Sequence, residues 1–218
     1  MIGSGIAAQR LSPGQPGLDL LENSTATAAA IVAIILSIGS VSGAHLNPII
    51  SLADRLLGGM SWREVGTYWS AQLSGAIGGA VIANLMFNLP AVQISTKVRS
   101  SPGLLLGEAV ATFGLLFVVF GIVRSGRAAA VPFAVGGYLA GAYWFTSSTS
   151  FANPAVAVAR MLSDTFAGIA PRSVGPFVAA QVVGGLLAVV TIRVLYPAIA
   201  EVAGSVLMPH PAPEEAEA

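Results

Sequence analysis

The chain has 218 residues, 55% of them hydrophobic and 9% charged, with ten basic and ten acidic side chains, a formal net charge of zero and no cysteine. A soluble domain is roughly a quarter charged, so this composition belongs in lipid. The missing basic excess argues against nucleic acid as a partner, and the missing cysteine removes disulfides, thiol catalysis and Cys-ligated metals.

An α-helix rises about 1.5 Å per residue, so about 20 apolar residues cross a hydrocarbon core about 30 Å thick. Before the polar turn "QRLSPGQPG" only residues 1–8 are apolar. Residues 20–41 then read as a full span, followed by Ser42-Gly43-Ala44-His45 and an apolar piece at about 47–56 that is too short to cross. A full-length run comes at about 66–88, then a polar loop carrying Pro90, Lys97, Arg99 and Pro102. Beyond it lie a span from Glu108 to about Val123, a turn at Arg124–Arg127, a span at about 128–147, a second short piece at about 153–163 and a last span at 173–195. The remainder, 196–218, ends in the acidic, Pro-rich "PHPAPEEAEA", which includes His210 and cannot bury enough apolar surface to fold.

The two halves repeat. "SGAHLNPIISLADR" places Asn47 and Pro48 at the start of the first short piece, and "TSFANPAVAVAR" places Asn153 and Pro154 at the start of the second. In the span that follows each, Ala71-Gln72-Leu73-Ser74-Gly75 recurs as Ala180-Gln181-Val182-Val183-Gly184. One transmembrane domain over 1–195 is expected, with repeat one at 1–88 and repeat two at 104–195. Three full spans per repeat insert the second copy upside down relative to the first, and inverted repeats place functional sites at the bilayer midplane. Repeat one lacks most of the opening helix that repeat two begins at Glu108, so the numbering is expected to start inside the first helix of a longer protein. A signal peptide fits less well, because the stretch is short and has no basic leader.

Asn is a strong N-cap and Pro suits the position after it, so each Asn-Pro pair starts a helix. Two short helices starting at mid-membrane abut end to end, and irregular backbone at that depth is tolerated only where it is buried in protein or lines a watery cavity. Carbonyls of Ser42–His45 and Thr146–Ser150 are expected along that cavity. With each Asn oxygen engaged by backbone, each amide NH2 is left to point into the lumen. A passing water must then turn its oxygen to both amides, which breaks a proton wire, while the two helix N-termini repel cations.

On the paired boxes and the Ala-Gln-x-x-Gly echoes, the chain resembles the major intrinsic protein (aquaporin) family over about residues 2–195. The resemblance implies an all-α membrane protein, an aquaporin-like right-handed bundle of six spans plus two half-helices in an inverted repeat, with helix 1 mostly missing from this numbering. It also implies a homotetramer with one pore per subunit in a lipid bilayer, both termini inside, and no cofactor, metal or catalytic residue. The boxes are Asn47-Pro48-Ile49 and Asn153-Pro154-Ala155. Ile49 stands where Ala is usual, and narrowing the midplane or packing outward both stay open. By the same resemblance His45 lines the inner vestibule, with a pH gate as the sharper reading. Glu108, four residues before Thr112, accepts backbone N–H groups near the second half-helix, with a proton relay as the alternative.

Carrying the family's outer constriction over by ungapped spacing from the boxes gives Thr27, Gly141, Ser150 and Val156. Water-selective members place an aromatic ring, a His and an Arg there, so this set implies a wider opening without a fixed cation. Asn-Pro-Ala-Val, with "YWFTSSTSFANPAV" and "SDTFAGIAP", resembles the bacterial branch associated with arsenic resistance. That resemblance implies a passive channel for arsenite as neutral As(OH)3, glycerol-like polyols and water, multi-pass in the bacterial inner (cytoplasmic) membrane. A relaxed water and glycerol channel without an arsenic role is the near alternative.

A coupled secondary transporter also uses broken helices at the midplane, but the residues here are amides with apolar neighbours rather than ionisable groups. A membrane hydrolase lacks a His and an Asp at usable spacing from the Ser-rich 147–150. A non-conducting structural member is the remaining class. Arg55 and Arg160 read as snorkelling charges, Trp62, Tyr68 and Trp69 as an interfacial belt, and Gly75, Gly78, Gly79, Gly184 and Gly185 as close helix crossings. Positive charge does not orient the chain: Arg55, Arg63, Arg124, Arg127 and Arg193 on one side balance Arg10, Lys97, Arg99, Arg160 and Arg172 on the other.

Overall fold

A computed structural model describes residues 1–197, so the tail reading lies, from residue 198 on, outside the described residues. The elements are α1 (Ile2–Leu11), α2 (Pro16–Ser42), α3 (Pro48–Leu57), α4 (Trp62–Met86), α5 (Pro102–Arg124), α6 (Val131–Phe145), α7 (Pro154–Ala159) and α8 (Pro171–Leu195). A 3-10 turn at Ala128–Ala130 leads into α6, and another at Arg160–Leu162 extends α7.

The starts and stops follow from local chemistry. Six of these helices, α2, α3, α5, α6, α7 and α8, carry Pro in the first turn, where a missing N–H forfeits no helical bond. The exception among the long ones, α4, opens on a capping box: the Glu64 N–H donates to Ser61 Oγ (3.3 Å) and the Ser61 N–H to Glu64 Oε2 (2.6 Å). Left-handed Gly43 (φ 64°) and Gly58 (φ 101°) end α2 and α3, a conformation that favours glycine.

Among the described residues, four segments are long and apolar enough to cross a membrane: α2, α5, Ala128–Phe145 and α8. At 25 residues α4 equals α8 in length but carries more polar side chains, among them Ser70, Gln72, Ser74 and Asn84.

The packing obeys an approximate two-fold exchange of the halves. Just as α1 lies along α4, α5 lies along α8, and α2 packs on α6 across the middle. Each short helix is wedged between the last long helix of its own half and that of the other: α3 touches α4 and α8, while α7 touches α8 and α4. The largest core joins α3, α5, α6 and α8 through Ile49, Leu116, Phe120, Leu139, Val189 and Ile192.

Of the five glycines expected at crossings, two are there. A Cβ on Gly184 would run into the Ala109 backbone and one on Gly185 into Ile49, which is why α8 can lie so close to α5 and α3. Gly75, Gly78 and Gly79 meet nothing within 4 Å, because α4 uses Ala76, Ala80 and Ala83, not its glycines, against α1 and α7. The expected aromatic belt is also only partly a belt. Trp62 is 58% exposed, whereas Tyr68 OH donates to Ser42 O (2.9 Å) and Trp69 Nε1 to Pro48 O (3.0 Å), so both brace the first box.

Candidate solute pathway at the paired boxes

Both Asn residues cap the helices they precede. Asn47 Oδ1 accepts from the Ile49 N–H (3.0 Å), and Asn153 Oδ1 accepts from Ala155 (3.0 Å) and Val156 (3.3 Å). Their amides are not free, contrary to the expectation from sequence. Asn47 Nδ2 donates to Ala152 O (2.7 Å) and Asn153 Nδ2 donates to Leu46 O (2.8 Å), so each amide commits one proton to the opposite box and keeps one. The two accepting residues share a second property: Leu46 (φ 50°) and Ala152 (φ 47°) are both left-handed. For a residue with a Cβ that conformation costs about 1–2 kcal/mol. The paired hydrogen bonds offset the cost and hold the two helix starts at one level.

Glu108 supports the second box from beneath. It has no exposed surface and accepts from the N–H groups of Phe151 (2.8 Å) and Ala152 (2.9 Å) and from Gln181 Nε2 (2.6 Å). In the first box the matching glutamine, Gln72, donates to Ser51 Oγ (3.1 Å), which also lies 3.0 Å from His45 Nδ1. The His45 Nε2 atom is 4.0 Å from Asp54 Oδ2. The repeated glutamines thus brace the boxes by different partners.

A cavity of about 200 Å³ runs past the boxes. Its walls are apolar side chains of α2 (Ala30, Ile31, Ile34), α5 (Leu115, Val119) and α6 (Val131, Val135, Leu139), with Thr27, His45, Asn47, Phe151, Asn153 and Val156 also on it. Ile49 is not on this wall: it is 2% exposed and packs outward beneath Gly185, which resolves the question its bulk raised.

Of the four constriction positions expected from spacing, Thr27 and Val156 line the cavity, while Gly141 and Ser150 do not. Gly141 is two residues past Leu139, about 200° around the helix, and a Cβ there would meet only Phe145 of its own helix. Tyr143, one turn beyond Leu139, is 1% exposed and its OH lies 3.5 Å from Thr27 Oγ1. Counting back from Asn153 without a gap fails because the chain leaves α6 at Phe145 and passes through left-handed Thr149, Ser150 and Ala152. The four-residue spacing Val131, Val135, Leu139 is the signal for the α6 residues that do line the cavity. Ser150 is fully buried, its Oγ without a partner among the described residues.

Arg160 was expected to snorkel and is instead 1% exposed, its guanidinium carbon 4.0 Å from the centre of the Phe151 ring. Arg99, from the loop between α4 and α5, lies 5.0 Å from the same ring and donates to the carbonyls of Gly168 (2.9 Å), Phe166 (3.3 Å) and Ser148 (3.4 Å). Burial, then Arg160 beside it, pulls the Arg99 guanidinium down to about 10, with Glu108 opposing. Burial, then Arg99 and Arg160, likewise brings Lys97 down to about 8, with Asp19 opposing. Arg55 sits 5.2 Å over the half-exposed Trp62.

The sequence pattern of the family described as major intrinsic protein matches residues 1–147. The chain is 45% identical over 199 residues to aquaglyceroporin AqpS of Rhizobium meliloti (strain 1021), covering 91% of this chain and 84% of that protein. It is 31% identical over 162 residues to aquaporin NIP1-4 of Oryza sativa subsp. japonica, covering 70% of this chain and 58% of that one. Over 114 residues it is 33% identical to probable aquaporin NIP7-1 of Arabidopsis thaliana, covering 52% and 41%.

Proposed function

The chain belongs to the major intrinsic protein family, and on that premise we propose that it is a passive channel for small neutral solutes: water, glycerol-like polyols and arsenite as As(OH)3. The observation that carries the reading is the exchange of Asn47 and Asn153 amides between boxes beside a continuous, mostly apolar cavity.

That geometry suits neutral cargo for three reasons. Apolar walls offer a solute few hydrogen bonds, so its polar atoms are satisfied mainly at the two remaining amide protons and at box carbonyls. Those protons both ask for an oxygen, so a file of water reverses direction there and a proton cannot hop through. The starts of α3 and α7 add partial positive charge, up to roughly half an elementary charge for a full helix, which opposes cations.

At the outer end, Thr27 and Val156 with Tyr143 behind form an opening with no guanidinium at position 156. This supports passage of polyols, in keeping with the name aquaglyceroporin carried by the relative. As(OH)3 presents three uncharged hydroxyls, the hydrogen-bonding outline of a small triol, and the arsenite reading rests on that likeness together with Val156. The same reading takes the protein as a homotetramer, multi-pass in a bacterial inner membrane.

The test is arsenite and glycerol equilibration in proteoliposomes without ATP, with and without ionophores that collapse proton and sodium gradients. A passive channel gives the same rates in both. Rates that fall when the gradients collapse would point to a coupled transporter instead.

A further inference from the structure

Three helix ends meet at one surface of the bundle: Arg55 stands in the last turn of α3, Arg193 in the last turn of α8, and Trp62 opens α4. Because α8 is long enough to cross a bilayer and Arg193 lies near its end, this place is at the level of the lipid headgroups. Trp favours that level, where its apolar ring meets lipid and its N–H meets water. Arg55, Trp62 and Arg193 line a concavity of about 450 Å³ there, inside the range of about 300–1,000 Å³ typical of small-ligand sites.

Among the described residues its wall has two guanidiniums and no carboxylate, and no ion pair reaches either arginine. Asp54, next to Arg55 in sequence, lies 4.0 Å from His45, and Glu64 accepts from the Ser61 N–H. Arg193 gives one donor to Leu56 O at the end of α3, which leaves four of its five. Arg55 lies 5.2 Å over the Trp62 ring, and its Nε is buried without a partner among the described residues. Two like charges with donors to spare make the hollow complementary to an anion that carries several oxygens. The apolar surface beside it decides the kind of anion. Val190 and Leu186 stand three and seven residues before Arg193 on the same face of α8, 60% and 44% exposed. A free phosphate leaves that strip bare, whereas a phospholipid covers it with an acyl chain.

We propose that this pocket binds an anionic phospholipid: its phosphate is held between Arg55 and Arg193, its glycerol rests on Trp62, and one acyl chain lies along Val190 and Leu186. Lipid bound there ties the end of α3, the short helix that starts after Asn47, to the end of α8. The inference needs the chain to span a bilayer and does not depend on which solute passes through it.

The test is lipid titration of the delipidated full chain in nonionic detergent, read by native mass spectrometry as lipid retained per subunit, with phosphatidylglycerol, phosphatidylcholine and glycerol 3-phosphate as probes. Phosphatidylglycerol should bind on the order of tenfold tighter than phosphatidylcholine, whose choline cation faces two arginines, and glycerol 3-phosphate should not displace it. Arg55→Gln and Arg193→Gln should each weaken phosphatidylglycerol on the order of tenfold, the size of one lost charge-assisted hydrogen bond. Arg127→Gln, at an exposed arginine of the turn after α5 and outside the pocket, should leave it unchanged. Equal binding of both lipids overturns the proposal and would leave the pocket to the tail acids Glu214, Glu215 and Glu217 or to a second copy of the chain. An equal loss in Arg127→Gln would mean attraction to surface charge at large, and displacement by glycerol 3-phosphate a site for soluble phosphate; either overturns it too. Should Arg193→Gln fail to assemble because its bond to Leu56 is lost, Arg55→Gln decides alone.

Discussion

At Glu108 two carboxylate oxygens with no exposed surface accept three hydrogen bonds. A glutamine there has one oxygen and one NH2, so one of the Phe151 or Ala152 N–H groups is left facing a donor. Leaving a buried donor unpaired costs about 1–3 kcal/mol, so Glu108→Gln should lower the melting temperature in detergent by roughly 3–10 °C. An unchanged melting point would mean that the carboxylate does not hold the loop. Gly185 and Ile49 make a second case. Gly185→Ala should destabilise by about 1–3 kcal/mol through overpacking, and adding Ile49→Ala should recover part of that loss in the same melts, because the clash is between these two side chains alone. At this scale the sequence is read well where a bond is local and poorly where it is not. The N-cap roles of Asn47 and Asn153 follow from adjacent residues, whereas their donation to Ala152 and Leu46 links positions in opposite halves that no spacing rule connects. Ungapped counting across the loop lands on Gly141, off the cavity wall, whereas the helical period from Val131 through Val135 leads to Leu139, which is on it.

Helix boundaries were legible because their signals are short. The expected span at 20–41 is Pro16–Ser42, and the expected short piece at 153–163 is Pro154–Ala159 with its 3-10 extension, each marked by Pro at the start. The structure starts α4 at Trp62, four residues before the apolar run at about 66, because the Ser61 to Glu64 capping box and not hydropathy sets its start. The loop before α5 carries more structure than its composition announces. It pins the chain after α7 through Gln93 N–H to Leu162 O (3.0 Å), Ser95 N–H to Met161 O (2.8 Å) and Lys97 O to the Ala170 N–H (2.7 Å). Lys97 gives this loop a pH signature. Its folded value is about 8 against 10.5, so between those values the folded chain binds fewer protons than the unfolded one. Stability therefore rises as pH goes from about 8 towards 10.5 and is lowest when Lys97 is charged in both states. Lys97 is only partly buried and keeps contact with solvent, so screening keeps the effect small. Melting at pH 7.5 and 9.5 should show the parent gaining about 1–3 °C more than Lys97→Met; equal gains would remove Lys97 as the cause.

For the molecule as a whole, the inverted repeat was legible from its echoes, but which helices touch was not, since pairing depends on three-dimensional fit and not on period. Burial does not change the charge argument, because the positive-inside bias acts on the loops of the inserting chain and the five-to-five balance stands. The expectation that both termini lie inside puts Arg55, Arg63, Arg124, Arg127 and Arg193 inside. With no native cysteine in the chain, single-cysteine labelling reads this directly. In intact cells an impermeant maleimide should label Ser100→Cys and spare Ser125→Cys, and the opposite pattern would invert the molecule. The central claim is that neutral solutes pass the paired boxes and are filtered where Val156 stands. Stopped-flow light scattering on proteoliposomes under inward glycerol and sorbitol gradients tests it most directly. The account predicts glycerol reswelling well above that of empty liposomes, cut about tenfold or more by Val156→Arg while water flow survives, the effect of one added guanidinium costing about 1.4 kcal/mol or more. Glycerol reswelling no faster than in empty liposomes, or a rate indifferent to Val156→Arg, would contradict it.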